Sequence, residues 1–90
     1  MLVSSINPLH LRGLNQALYI LHCLGEGHSN EQIVQKFDGD KQLVDMWMSF
    51  VKHNHWIEKD RLGQWQLTEK GREWARKLPQ ESDPSNNIQQ

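Results

Sequence analysis

The stretch FVKHNHWIEKDRLGQWQLTEKGR, residues 50–72, changes its hydrophobic period twice, and that change decides how the chain folds. Leading into it, Leu43, Val44, Trp47, Phe50 and Val51 recur at helical spacing. After Asn54, a residue able to take the left-handed conformation that closes a helix, the pattern turns to strand formers. His55-Trp56-Ile57-Glu58 and Gln64-Trp65-Gln66-Leu67 flank Asp60-Arg61-Leu62-Gly63, a polar turn carrying a glycine, so the two segments form a short hairpin. Thr68 then caps a helix entered through Glu69 and Lys70, with Trp74, Ala75 and Leu78 inward and Pro79 as its stop. Gly71 within that helix costs about 1 kcal/mol relative to alanine, and close backbone approach to the hairpin or the first helix would explain it.

Upstream, three helices precede the hairpin. Leu14, Ala17, Leu18, Leu21 and Leu24 make one apolar stripe, which predicts a helix over residues 11–24 with Gly25 as its left-handed terminator. Ser29-Asn30-Glu31-Gln32 is a capping box that opens a second helix, with Ile33, Val34 and Phe37 on its buried side. Asp38-Gly39-Asp40 breaks it, and Asp40 caps a third helix over residues 41–53. The expected fold is mainly α with a small β-hairpin, in the order α-α-α-β-β-α. A two-stranded ribbon is marginal alone. Trp65 and Leu67, on one face of their strand, are therefore expected to close the three-helix core. Burial of Trp47, Phe50 and Trp65 should contribute about 1.5–3 kcal/mol for each side chain.

The composition is that of one small domain. In 90 residues, Lys and Arg total 10 against 11 Asp and Glu, a formal net charge of −1, which excludes a histone-like polycation. A chain this short needs dense packing or a partner. Residues 1–8 form an apolar leader with Leu2, Val3 and Ile6; residues 9–78 form the domain. Residues 79–90, rich in Pro, Ser, Asn and Gln with only Ile88 as a strong hydrophobe, are expected to be a disordered tail. The longest apolar run, residues 17–21, is far shorter than the ~20 residues that span a bilayer. A lone cysteine, Cys23, cannot form an internal disulfide. With no basic-then-apolar leader, the expectation is a cytoplasmic protein that does not enter a membrane.

Residues 50–58 look like the end of a recognition helix running into a first wing strand. Residues 64–72 are similar to the strand-to-helix L-T-E-K-G signature of MarR-like, PadR-like and archaeal regulators. With a three-residue break between the second and third helices, residues 14–78 resemble the winged helix-turn-helix family. The resemblance implies a DNA-binding transcriptional regulator whose third helix enters a major groove while the wing lies on phosphates. Carried onto this chain, the groove-facing candidates are Lys41, Gln42, Asp45, Met48, Ser49 and Lys52, with Lys59 and Arg61 at the wing. Gln42 would read adenine, and the lysines would meet phosphate or guanine. The resemblance also implies a homodimer built through terminal elements, here the leader and fourth helix.

Charge runs against part of this expectation. Residues 29–51 hold Lys36 and Lys41 against Glu31, Asp38, Asp40 and Asp45, a net −2, although phosphate neutralisation supplies most nucleic-acid affinity. Residues 52–78 carry net +3 through Lys52, Lys59, Arg61, Lys70, Arg72, Arg76 and Lys77. The alternative is a winged-helix adaptor that contacts another protein. It would use Met46 and Met48 around Trp47, Tyr19 and Ile20 beside the main stripe of the first helix, and the leader.

Five histidines and one cysteine show no paired zinc spacing. Asp38, Asp40 and Asp45 faintly resemble a calcium loop, but Ser49 stands where a bidentate Glu is needed, and two capping carboxylates explain the cluster better. No phosphate loop, His-Glu-x-x-His or Gly-x-Ser-x-Gly occurs, so neither a catalytic residue, a metal site nor a cofactor is expected. A redox-sensing Cys23 would require a low thiol pKa and solvent access.

Overall fold

In the computed structural model, residues 7–78 are described; residues 1–6 of the expected leader, the expected tail and Pro79 lie outside them. Among the described residues, a 3-10 turn over Pro8–His10 precedes four helices and two strands: α1 (Leu14–Gly25), α2 (Asn30–Lys36), α3 (Lys41–His53), β1 (Ile57–Lys59), β2 (Trp65–Leu67) and α4 (Glu69–Ala75). The described chain is thus mainly helical with a small antiparallel sheet, in the order α-α-α-β-β-α. No helix among the described residues is long and apolar enough to cross a membrane.

The starts of α2, α3 and α4 are where the capping residues put them, whereas α1 begins at Leu14 rather than Leu11, after Gly13 (φ 54°) and with no side-chain cap. The Ser29 hydroxyl accepts from the Gln32 amide while Gln32 Oε1 accepts from the Ser29 N–H, a complete capping box. Asp40 and Thr68 accept from the N3 amides of Leu43 and Gly71. The ends differ from expectation. The left-handed residues are Gly27 (φ 90°), Asp38 (φ 60°) and His55 (φ 62°), not Gly25 and Asn54. Each closes a Schellman motif, its successor's N–H reaching back to Cys23, Val34 and Val51 respectively. Gly25 is instead the last helical residue, and Leu67 Cδ1 lies 3.2 Å from the position its Cβ would take.

Helix α1 is the centre of the molecule. Ala17, Leu18, Tyr19, Ile20, Leu21, Cys23 and Leu24 are all buried, because α3, α4 and β2 pack around it and Phe37, just past α2, meets it edge-on. Tyr19 and Ile20 are therefore core residues, which removes them from the expected protein-contact surface, whereas Leu14 is exposed. Tyr19 meets Phe37 with ring centroids 5.8 Å apart. His22 Nε2 lies 2.6 Å from the Ala75 carbonyl; a carbonyl only accepts, so that nitrogen carries the proton and ties α1 to α4. Gln16 joins three segments, donating to the Pro8 and Leu11 carbonyls and accepting from Trp47 Nε1 at 2.9 Å.

The tryptophans sort differently from expectation. Trp56, read as a strand residue, is the buried one, at 4% exposure; Trp47 and Trp65 are half-buried, and Phe50 is 37% exposed. Trp56 stacks on Trp74 at 4.7 Å and takes the edge of Phe50 at 5.5 Å. Its Nε1 is buried without a hydrogen-bond partner among the described residues. Thr68 sews this joint together: its N–H donates to Trp56 O, its hydroxyl to His55 O, and the same oxygen caps α4. Gly71 presses directly on the joint, since a Cβ there would overlap the Trp56 carbonyl oxygen. Close backbone approach thus explains a glycine inside a helix.

Cys23 is buried in this core, and burial pushes its thiol up from 9.0 to about 11. The redox-sensor requirements of exposure and a low pKa are both unmet. In the folded protein Cys23 is expected to resist a thiol reagent at pH 8 and react at once in denaturant; stoichiometric labelling of the folded chain would contradict this placement. The same shift has a definite sign in stability. The folded thiol keeps its proton to higher pH than the unfolded one, so its contribution is full below pH 9 and declines as pH rises toward 11.

Candidate nucleic-acid interface

The hairpin register places an aromatic ring at the edge of α3. Ile57 pairs with Leu67, Glu58 with Gln66 and Lys59 with Trp65. Opposed residues share a face, so Ile57, Leu67, Lys59 and Trp65 point the same way while Glu58 and Gln66 face solvent. Ile57 and Leu67 meet the core; one pair further out, the ladder overhangs it, which leaves Trp65 half-buried. The turn is set by Asp60, whose Oδ1 accepts from Leu62 and Gln64 N–H groups while its carbonyl accepts from Gly63 (φ 79°).

Lysines from two elements converge on that ring. Lys52 Nζ from the last turn of α3 lies 5.4 Å from the Trp65 centroid, and Lys59 Nζ from β1 lies 5.1 Å away. Neither makes an ion pair among the described residues. Beside them is a groove of about 320 Å³ lined by Asn30, Asp45, Met48, Ser49, Lys52 and Trp65. Trp65 and Asn30 also border a neighbouring recess of about 290 Å³, which reaches Gln64, Gly63 and His28. His28 is held there by its Nδ1 on the Cys23 carbonyl, 3.1 Å away.

Of the sequence candidates, the structure brings Asp45, Met48, Ser49 and Lys52 to one groove, with Lys59 adjoining through Trp65. Lys41 and Gln42 are exposed on the first turn of α3, and Lys41 is paired with Asp45 Oδ2 at 2.7 Å. That i,i+4 pair reduces the positive charge the helix offers. Arg61 is exposed in the turn. Met48 is half-buried against the core, whereas Met46 is 51% exposed. Farther off, Arg72 donates to the Leu67 carbonyl and Lys77 covers Trp74, so those two cations serve α4 itself.

Trp65 and Asn30 were not among the expected site residues. Trp65 is expected to close the core with Leu67; it does pack against the core but stays half-buried, opposite Lys59, a register one residue off the one that an Asp60–Gly63 turn implies. Asn30 gave no signal, because its proximity to α3 depends on the angle between α2 and α3. Among the described residues, no three His, Cys, Asp or Glu side chains group as metal ligands would. No protein-family model, curated protein or solved structure matches this chain.

Proposed function

We propose that the chain is a winged helix-turn-helix DNA-binding regulator of transcription, working without catalysis in the cytoplasm. In this reading α2 and α3 are the helix-turn-helix, and Ile57–Leu67 is the wing. The observation that supports it is the nearness of α3's exposed face to the wing: Ser49 and Lys52 line a groove with Trp65, and Lys59 of the wing lies over the same ring, with Arg61 beyond it. A helix of α3's 13 residues fits a major groove while the hairpin tracks a phosphate strand. Gln42 and Ser49 then contribute base contacts, and Lys52, Lys59 and Arg61 contribute phosphate contacts. Glu31 in the first turn of α2, with Asp38, Asp40 and Asp45 before and within α3, keeps the affinity of one copy low, and a homodimer presenting two wings offsets that deficit.

The double variant Lys59→Ala/Arg61→Ala tests the wing. It is expected to weaken binding to all duplex sequences alike and to flatten the dependence of log affinity on log salt by ~1 per lost phosphate contact. Loss on one sequence alone, or an unchanged slope, contradicts the assignment. One observation favours the adaptor reading instead. Met46, Ser49, Phe50, Lys52, His53 and Asn54 border a shallow depression on the adjoining flank of α3, sharing Ser49 and Lys52 with the groove, and both Met46 and Phe50 are exposed there.

A further inference from the structure

The geometry points to Trp65 as a stacking platform for one unpaired nucleobase, so that the preferred ligand is a duplex with a single-stranded extension. This rests on the nucleic-acid reading above and goes beyond it, because a helix in a major groove and a wing on phosphates require no unpaired base. Three observations carry it. The Trp65 ring is half-exposed at the junction of two recesses, so a planar group can reach it from the α3 side or the turn side. Lys52 and Lys59 stand over the ring, at 5.4 and 5.1 Å from its centroid. Around it stand Asn30, Ser49 and Gln64, short polar side chains that donate and accept hydrogen bonds as a base edge requires.

The exchange is favourable in direction. An exposed lysine–indole contact is weaker than a base stacked on the same indole. An arriving base displaces an ammonium that then meets the phosphate of the same nucleotide, so the positive charge moves from a quadrupole to a full anion. Paired bases inside a duplex present no free face and cannot make this contact. The recesses, of about 290 and 320 Å³, stand at the lower end of the volumes that take a small organic group.

The test is fluorescence anisotropy of a labelled blunt duplex and of the same duplex extended by about eight thymidines, a length within single-strand site sizes. The full chain is expected to bind the extended form roughly tenfold tighter, as one stacked base provides. In Trp65→Leu that ratio should collapse to about one, and in Trp65→Phe, which keeps a smaller ring, it should lie between. Quenching of tryptophan emission by oligothymidylate should likewise diminish in Trp65→Phe, which settles the matter if the leucine variant fails to fold. Equal binding of both duplexes, or a preference that survives Trp65→Leu, overturns the platform while leaving the duplex reading intact. Binding of neither overturns both.

Discussion

Trp56→Ala is expected to lower the unfolding free energy by about 3–5 kcal/mol, as truncation of a large buried aromatic does. For the 72 residues from Asn7 to Leu78, total stability on the order of 4–11 kcal/mol is expected, so much of it would be gone. The ring sits between Phe50 of α3 and Trp74 of α4, directly after the Schellman turn that ends α3. Its loss leaves a cavity at the one place where α3, the hairpin and α4 meet. Urea unfolding followed by circular dichroism measures the effect, and a loss below about 1 kcal/mol would mean that the ring is not a core element. Trp56→Phe is the informative partner. It keeps an aromatic ring between Phe50 and Trp74 and deletes the buried Nε1 that lacks a hydrogen-bond partner among the described residues, so its loss should be less than half that of alanine.

Gly71→Ala acts on the same joint from the other side. Helix propensity alone predicts a gain of about 1 kcal/mol. The structure predicts the opposite sign, since the added Cβ would meet the Trp56 carbonyl oxygen and lie 2.9 Å from its carbon. These are backbone atoms, and the carbonyl is already held by the Thr68 N–H at 3.0 Å, so neither side can yield without moving α4 off the hairpin. A net loss of about 2 kcal/mol is expected from such overpacking. In a domain of this size that corresponds to a melting temperature lower by roughly 8–16 °C. An unchanged or raised melting temperature would show that α4 does not approach the joint as described.

These two residues also show what could be read from the chain alone. Gly71 was legible because a glycine inside a helix has few physical explanations, and close approach is one of them. The three N-caps were legible because Ser29, Asp40 and Thr68 each satisfy an amide three residues on, a local matter. The left-handed terminators at Gly27 and His55 were missed by two residues and one, since the last hydrogen bond of a helix is set partly by where the next segment must go. Tyr19 and Ile20 were misplaced because a stripe describes one face, and α1 is enclosed on several. That Trp56 is the fully buried ring while Trp65 is only half-buried was not legible for a related reason. Both precede or sit within strands of three residues, too short for alternation to distinguish the core from its rim. At the candidate interface, the exposed side of α3 followed from its period, whereas the Lys52–Trp65–Lys59 cluster needed the hairpin's tilt against the helix.

DNA binding itself is tested by anisotropy of a labelled mixed-sequence duplex, titrated with the full chain at low and at physiological salt. With Lys52, Lys59 and Arg61 meeting phosphates, three or four contacts give micromolar binding that weakens roughly 40- to 150-fold between about 50 and 200 mM salt. No binding at the lower salt, or binding indifferent to salt, would contradict a phosphate-contacting domain and leave the Met46 and Phe50 flank as the working surface.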